Sequence, residues 1–371
     1  MNTRESNQLT ELTVTSFESG RSLGRLAGIG ALIAVIAGLF LLAGGWFTPH
    51  ALTPKAIINT FERLNGVHSG FRRNHAKGVC VTGFFESNGQ GQAISRARVF
   101  VPGRVSILGR FALAGGQPYA ADTPQTIRSL AILFKLPDGE EWRTAMVNIP
   151  IFVVNTPKEF AEFLVASSPD PATGKVNPAA MSAFLAQHPE TAAALKVIGR
   201  HPFSSGFGDS PYYALNAFRF VNANGDSTPV RWSVVPDQTL APNQAFSPNP
   251  ARMGKNYLFD ALIAQIHAKP LGWHLILTVG QPGDPTADAA LQWPPDRQQI
   301  DAGTVTFNSI ESEDTSPIRD INFDPLVLPD GIRPSDDPLL SARSAAYSVS
   351  FTRREGERKE PSAISTSEVQ K

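Results

Sequence analysis

The chain has 371 residues, of which 42% are hydrophobic, so it can bury the core of one large domain or of two smaller ones. Its 33 basic and 33 acidic residues cancel, so no long-range field favours nucleic acid or another charged polymer as a partner. Cys80 is the single cysteine, which excludes an intramolecular disulfide and any multi-cysteine zinc or iron–sulfur site.

The first predicted element is a transmembrane helix over residues 26–47, a stretch without charged side chains that is long enough to cross a bilayer. Arg21 and Arg25 flank its start, and Trp46 stands where an interfacial aromatic belt lies. The pattern predicts an uncleaved single-pass anchor, with residues 1–25 in the cytoplasm and the remaining chain outside it, in the periplasm of a double-membraned bacterium. A cleavable signal peptide is the alternative, although no clean small-x-small cleavage site follows.

Residues 51–354 contain no long linker, repeat or charge block, which predicts one domain. Its first third is rich in short apolar runs that end at glycine or proline, which predicts strands at 78–85, 97–101, 130–135 and 147–154. This spacing is typical of a barrel or a sandwich.

Helices and further strands follow. Thr156 caps a helix whose first turn holds Pro157 and the capping-box residue Glu159, and Asn177 opens another helix that runs toward His188. The turn-forming pair Asn224-Gly225 predicts a hairpin, and its strands together with two later runs lie at 217–221, 230–234, 273–279 and 303–307. The fold class is therefore α+β, with a large antiparallel sheet closed into a barrel and surrounded by helices.

The last predicted helix carries an arginine four residues before a tyrosine. Ser335 or Asp336 can cap this helix, Pro338 suits its first turn, and the spacing places Arg343 and Tyr347 on one face. A nearby guanidinium favours the charged phenolate, and a tyrosine phenolate is a known axial ligand of haem iron. Taken alone, such a pair is more often a buried hydrogen-bonded tyrosine. From residue 355 the chain is polar, which predicts a disordered tail over 355–371.

Four groups of motifs, in a fixed order, resemble those of a known family. The segment 72–78 has the pattern R-x-x-H-A-K-G and resembles the distal-histidine segment of haem catalases. Gly109-Arg110-Phe111 with the later Ala121-Asp122-Thr123, and Pro150-Ile151-Phe152 with Phe160, are similar to further catalase segments. The catalase-like motifs continue through the run 221–225, Trp293-Pro294, Phe323-Asp324-Pro325 and the Arg343/Tyr347 pair.

The resemblance covers about residues 55–354, and within that family the chain resembles the smaller catalase-related peroxidases. It implies a catalase-like haem-dependent barrel that contains haem b and reduces hydrogen peroxide or organic hydroperoxides. Electrons come from an unknown external donor, and catalase activity is weak or absent. No segment resembles the nicotinamide-nucleotide site of some catalases, so none is expected. Pairing of identical subunits in relatives makes a homodimer the expected assembly.

The resemblance also implies the roles of eight residues. His75 is the distal acid–base, which takes a proton from one peroxide oxygen and returns it to the other. Tyr347 is the ligand of the iron, and Arg343 keeps it anionic. The remaining five bind the macrocycle: three arginines pair with the haem propionates, and two aromatic rings line the pocket, namely Arg72, Arg110, Arg354, Phe152 and Phe160. Arg353 is an alternative to Arg354.

Two departures from the family pattern concern the distal pocket. The expected asparagine falls on Val147, whereas Asn148 lies one residue later and points to the opposite face of a strand unless a bulge intervenes. Ala112 replaces the serine that orients the histidine. A pocket with fewer hydrogen-bond donors favours peroxidase over catalase turnover. Two other functions remain open: rearrangement or dehydration of fatty-acid hydroperoxides, and haem binding without catalysis.

Overall fold

The computed structural model describes residues 19–43, 52–170, 173–237 and 254–371. Two compact units divide the chain, Met1–Thr53 and Pro54–Lys371, and the first contains helix α1 (Ser19–Ala43). Within these described ranges no helix is both long and apolar enough to cross a membrane. The structure therefore does not support the anchor predicted over 26–47, of which residues 44–47 lie outside the described ranges. The predicted location of the domain is not tested and stays a prediction.

The second unit is built on a closed antiparallel barrel, as the sequence predicts. Eight strands form the ring in the order β7-β5-β4-β3-β2-β1-β9-β8, and β8 pairs back onto β7; β6 and then β10 extend the sheet beside β7. Their bounds are β1 Gly78–Ser87, β2 Gly103–Leu113, β3 Arg128–Lys135, β4 Glu141–Val147, β5 Tyr212–Tyr213, β6 Phe218–Val221, β7 Ser227–Pro236, β8 Leu271–Val279, β9 Gln299–Glu311 and β10 Ile332–Pro334.

Aromatic and branched side chains fill the barrel. Alternate residues of β3, from Leu130 to Phe134, point inward and are almost fully buried. Phe134 stacks on Trp142 with ring centroids 4.7 Å apart, and a second group of rings surrounds Phe111. Because inward and outward positions alternate, the same strands present a second set of side chains to the outside of the barrel.

The helices of the second unit surround the barrel. They are α2 Pro54–Asn65, α3 Pro157–Ala166, α4 Pro178–Gln187, α5 Pro189–Arg200, α6 Tyr257–Ala268, α7 Pro338–Glu355 and α8 Thr366–Val369. The predicted capping box of α3 is present, and Asn177 caps α4 as expected. Helix α7 is capped by Asp337, rather than by Ser335 or Asp336, because the Asp337 carboxylate accepts a hydrogen bond from the amide of Leu339 at 2.9 Å.

Two predicted strands are wrong. Residues 97–101 form a single 3₁₀ turn, Arg98–Phe100, which buries Val99 and Phe100 immediately before Pro102. The run 147–154 is strand only at its first residue, since β4 ends at Val147. Pro150 has no backbone N–H to donate to a neighbouring strand, and the chain leaves the sheet there to reach α3.

The predicted disordered tail is also wrong. Residues 356–371 fold back onto the domain, where Ile364 is 0% exposed and Val369 is 5% exposed. The hydroxyl of Ser312 donates to the carbonyl of Ile364 at 2.6 Å. Glu357 pairs with Arg73 and accepts a hydrogen bond from the amide of Gly70 at 2.9 Å. Few apolar residues suffice to hold this polar tail, because the domain provides partners for its backbone and charges.

Candidate functional site

A cavity of about 290 Å³ lies between the outer side of the barrel at β2, β3 and β4 and the helices α2, α3 and α7. Most of its wall is apolar, and a few charged groups project into it. All eight residues predicted for the site line this one cavity: Arg72, His75, Arg110, Phe152, Phe160, Arg343, Tyr347 and Arg354. The fold thus brings together side chains from motifs that are far apart in the sequence. Their individual roles stay predictions.

The barrel contributes a wall of small side chains. Strand register places Arg110 opposite Ala131, and Ala131 opposite Ala145, so these three residues form one row across β2, β3 and β4. Directly opposite residues of an antiparallel pair project from the same face. The two alanines leave a nearly flat apolar surface beside the Arg110 guanidinium, which suits a flat ligand.

A second row, which is referred to below as the upper row, runs parallel to the first. It consists of Ala112, Ser129 and Val147, paired across the same three strands. Ser129 and Val147 line the cavity. The neighbouring Asn148 is 3% exposed, and its side-chain oxygen accepts a hydrogen bond from the amide of Arg128 at 2.8 Å. Strand alternation therefore turns the asparagine away from the cavity, as expected, and no bulge returns it.

His75 enters the cavity from a left-handed backbone conformation, with φ of 55°. Such a conformation is uncommon for a residue with a side chain. Asn74 supports it, because its side-chain oxygen accepts hydrogen bonds from the amides of His75 at 3.0 Å and Gly115 at 2.9 Å. The backbone of the histidine is also held by Arg110, which donates to its carbonyl at 2.9 Å.

The imidazole is half-buried at the cavity wall, and its surroundings disfavour its charged form. Burial first, and then the charges of Arg110, Arg343 and Arg72, lower the pKa of His75 to about 3. The lowered pKa keeps the ring neutral at physiological pH and makes its protonated form a strong acid. The backbone of Leu113 opposes this shift of the pKa, and Nδ1 has no hydrogen-bond partner among the described residues.

An arginine cluster forms the charged part of the cavity, and sequence reasoning missed the carboxylate at its centre. Glu313 accepts hydrogen bonds from Arg110 at 2.8 and 3.0 Å and from Arg72 at 3.0 Å. Burial opposes its charge, but the two guanidiniums lower the pKa of Glu313 to about 2. With Arg354, three positive groups and one negative group leave two net positive charges. No spacing signal marks Glu313, because its partners lie more than 200 residues away.

Arg354, rather than Arg353, belongs to this cluster. Arg354 is 3% exposed, donates to the carbonyl of Arg319, and has a buried Nε without a partner among the described residues. The Arg353 guanidinium instead donates hydrogen bonds to the carboxylate of Glu62 at 2.6 Å and to the side-chain oxygen of Asn59 at 2.7 Å. These two adjacent arginines of α7 thus form hydrogen bonds with different parts of the domain.

Helix α7 places Arg343 and Tyr347 in the cavity wall one turn apart. The Arg343 guanidinium donates to the side-chain oxygen of Asn216 and to the carbonyl of Ala145 at 3.4 Å. Asn216 is fixed in turn by donating to Asp337 at 2.7 Å. Within the described residues no hydrogen bond joins Arg343 to Tyr347. Asn216 is a further residue that sequence reasoning missed.

Aromatic rings close another side of the cavity. The ring centroids of Phe152 and Phe160 are 5.5 Å apart, and those of Phe160 and of Phe61 on α2 are 6.1 Å apart. Cys80, two residues after Gly78, is fully buried on β1, and burial raises the pKa of its thiol to about 12. It is therefore an inert core residue.

Comparison with known proteins connects this arrangement to a family. The family profile described as Catalase matches residues 48–364. A catalase-related peroxidase of Synechococcus elongatus is 34% identical over 326 residues, which cover 87% of this chain and 95% of that protein. A catalase-related peroxidase of Mycolicibacterium paratuberculosis is 30% identical over 308 residues, 82% of this chain and 96% of that one. The crystal structure of a fungal catalase superposes with a TM-score of 0.68 at 19% identity, over 83% of this chain but 64% of the other.

Proposed function

The chain belongs to the catalase family, and on that premise we propose that it is a haem-dependent peroxidase. It reduces hydrogen peroxide or organic hydroperoxides with electrons from an external donor. The observation that carries the proposal is the convergence of His75, Tyr347 and three arginines on one apolar cavity.

The residues fit haem b in charge and in shape. Two net positive charges remain in the arginine cluster, and they match the two propionates of the macrocycle. The flat surface of Ala131 and Ala145 leaves space for a planar ring, and Tyr347 offers a phenolate to ferric iron. When bound, the haem supplies an iron that weakens the peroxide O–O bond and stores oxidising equivalents.

The protein supplies the proton transfer and the orientation. A neutral His75 would take a proton from one oxygen of the peroxide. The resulting imidazolium then gives that proton to the departing oxygen, which leaves as water or as an alcohol. Arg343 lines the same cavity as Tyr347.

The upper row supports peroxidase rather than catalase turnover. Ala112 and Val147 place methyl groups where the family pattern has hydrogen-bonding side chains, so a second peroxide molecule finds fewer groups to orient it. We expect the rate constant for catalase turnover to lie well below the diffusional range of about 10⁸ M⁻¹s⁻¹.

The absorption spectrum of the haem-loaded protein, beside its Tyr347→Phe and Tyr119→Phe variants, tests the proposal. Tyr119 is a matched control, because its hydroxyl donates to the carbonyl of Pro361 and its side chain does not line the cavity. We expect a high-spin ferric spectrum that is lost in Tyr347→Phe alone. If neither the wild type nor the control retains haem, the peroxidase assignment is wrong.

Product analysis separates this function from hydroperoxide rearrangement. Reduction of a lipid hydroperoxide gives the alcohol, whereas rearrangement gives an epoxide or a ketol. His75→Ala should remove the activity and retain the haem, an outcome that mere haem storage would not produce. The homodimer also stays a prediction, and light scattering of the purified protein checks it.

A further inference from the structure

Three metal-ligating side chains converge outside the cavity, on the helices α3, α4 and α5. Glu159 belongs to α3, His188 lies at the junction of α4 and α5, and Glu190 belongs to the first turn of α5. One ligand atom of each lies within 4.8 Å of the other two, and all three residues are partly buried. The fold thus places one imidazole and two carboxylates around a common point.

The spacing of these atoms is close to that of a coordination sphere. The Nδ1 of His188 lies 3.1 Å from a carboxylate oxygen of Glu190. Two ligand atoms that are each about 2.0 Å from a tetrahedrally coordinated ion lie about 3.3 Å apart. A cation can therefore replace the proton between Nδ1 and this carboxylate with little movement of either side chain.

The second ring nitrogen of His188 faces another carboxylate. Its Nε2 lies 3.5 Å from an oxygen of Glu162, which is one turn along α3 from Glu159. A histidine that binds a metal usually donates its other ring N–H to a carboxylate, and this contact fixes the tautomer and the orientation of the ring. A proton on Nε2 beside Glu162 leaves the lone pair of Nδ1 available to a cation.

Two of the three ligands are held by contacts outside the cluster. One carboxylate oxygen of Glu159 accepts hydrogen bonds from the amides of Asn155 at 3.2 Å and Thr156 at 3.3 Å, so the other oxygen stays available. The imidazole of His188 stacks on Phe184 with ring centroids 4.3 Å apart. Because these side chains are already ordered, binding an ion costs little further conformational entropy.

The cluster lacks both positive charge and hydrogen-bond donors. Within the described residues, no lysine or arginine pairs with Glu159 or Glu190. Two buried oxygen atoms of residues that adjoin these ligands have no partner in the same part of the chain, the Oδ1 of Asn155 and the Oγ1 of Thr191. A divalent ion that carries coordinated water supplies the missing charge, and its water molecules are donors for such acceptors.

The ligand set selects the class of ion. Mg²⁺ and Ca²⁺ prefer oxygen ligands alone, whereas an imidazole together with carboxylates suits first-row transition metals. We propose that Glu159, His188 and Glu190 bind a divalent ion of the zinc or manganese type, and that Glu162 positions the imidazole. The ion joins α3 to α5, and α3 contributes Phe160 to the wall of the cavity. This site goes beyond the proposed function and does not depend on it.

Calorimetric titration of the haem-loaded, chelator-treated protein tests the site. We expect one Zn²⁺ per chain, with weaker binding of Mn²⁺ and the weakest of Mg²⁺. Glu159→Gln should weaken zinc binding at least tenfold without loss of the helix, because glutamine also suits the capping box. Glu190→Gln should have the same effect, and Glu162→Gln should weaken binding about tenfold.

His274 provides a matched control. It also lies between two carboxylates, those of Asp237 at 2.9 Å and Asp301 at 2.7 Å, but they contact opposite ring nitrogens. One ion cannot bind all three groups, so His274→Ala should leave the zinc affinity unchanged, whereas His188→Ala should reduce it at least tenfold. X-ray absorption at the zinc edge should show one imidazole ligand in the wild type and none in His188→Ala.

The outcomes separate this inference from the proposed function. Absence of zinc binding in the wild type, or equal binding by the wild type and the three ligand variants, means that no built site exists and overturns the inference. Binding of Mg²⁺ as tight as that of Zn²⁺ overturns the class of ion. Each of these results leaves the haem spectrum, and with it the peroxidase assignment, untouched. A protein that binds zinc but no haem retains this site and refutes the peroxidase.

Discussion

Replacing Glu313 by glutamine tests whether the buried carboxylate holds the arginine cluster together. A pKa lowered from 4.5 to about 2 corresponds to about 3 kcal/mol of stability at neutral pH, at about 1.36 kcal/mol per pH unit. Glutamine keeps the shape but not the charge, so Arg110 and Arg72 lose their buried counter-ion. We expect the free energy of unfolding to fall by about 3 kcal/mol at pH 7.

The assay is urea unfolding of the haem-free protein, followed by circular dichroism. For a slope of about 3 kcal/mol per molar urea, the midpoint should fall by about 1 M. The difference also has a predicted pH dependence. A carboxyl group whose pKa is lower in the folded than in the unfolded state stabilises the fold at pH values above its unfolded pKa. This contribution to the free energy of unfolding is lost as the pH falls from 4.5 toward 2. Wild type and Glu313→Gln should therefore converge in acid.

Glu86→Gln is the matched control. Glu86 also pairs with an arginine, Arg104 at 3.0 Å, but the two side chains are 56% and 59% exposed. An exposed pair contributes little, so we expect a change of about 0.5 kcal/mol or less. Equal destabilisation by the two substitutions, or a Glu313→Gln effect that grows as the pH falls, would refute the argument from burial.

Three further predictions follow from the contacts described above. Ile364→Ala should lower the free energy of unfolding by about 2–4 kcal/mol, because the side chain is fully buried, and an unchanged urea midpoint would mean that the tail does not pack in solution. Arg354→Ala should lower haem affinity at least tenfold in a spectral titration, whereas Arg353→Ala should not, and the reverse order would move the propionate contact to Arg353. Lys77→Met removes the ammonium group that pairs with the buried Asp122 carboxylate at 2.6 Å, and calorimetry should show a free energy of unfolding lower by about 3–5 kcal/mol. Part of this stability should return when Asp122 is also replaced by an apolar residue.

The parts of the fold that could be predicted are those determined by neighbouring residues. The capping box of Thr156 and Glu159 and the turn at Asn224-Gly225 are local, and both are present, with Gly225 at φ of 91°. The alternation that turns Asn148 away from the cavity is equally local. The resemblance to a known family likewise identified eight residues that line the cavity.

The failures concern contacts between distant segments. Glu313 is one glutamate among many in the sequence, and no neighbouring residue indicates that it pairs with the Arg110 guanidinium, 203 residues away. The tail reads as disordered because composition cannot show that Ser312 and Arg73 provide partners for it. The run 147–154 reads as a strand because apolar periodicity does not reveal where the chain must leave the sheet.

The two ends of the domain close one cavity, and this has a consequence for biosynthesis. Tyr347 follows His75 by 272 residues, which a ribosome adds in about 15–55 seconds at about 5–20 residues per second. During that interval the nascent chain can form much of the barrel wall but offers no phenol, no Arg354 and no cover from α7. Cofactor capture must therefore follow release of the last helix, and a cell short of haem would accumulate a complete domain whose apolar cavity holds no cofactor.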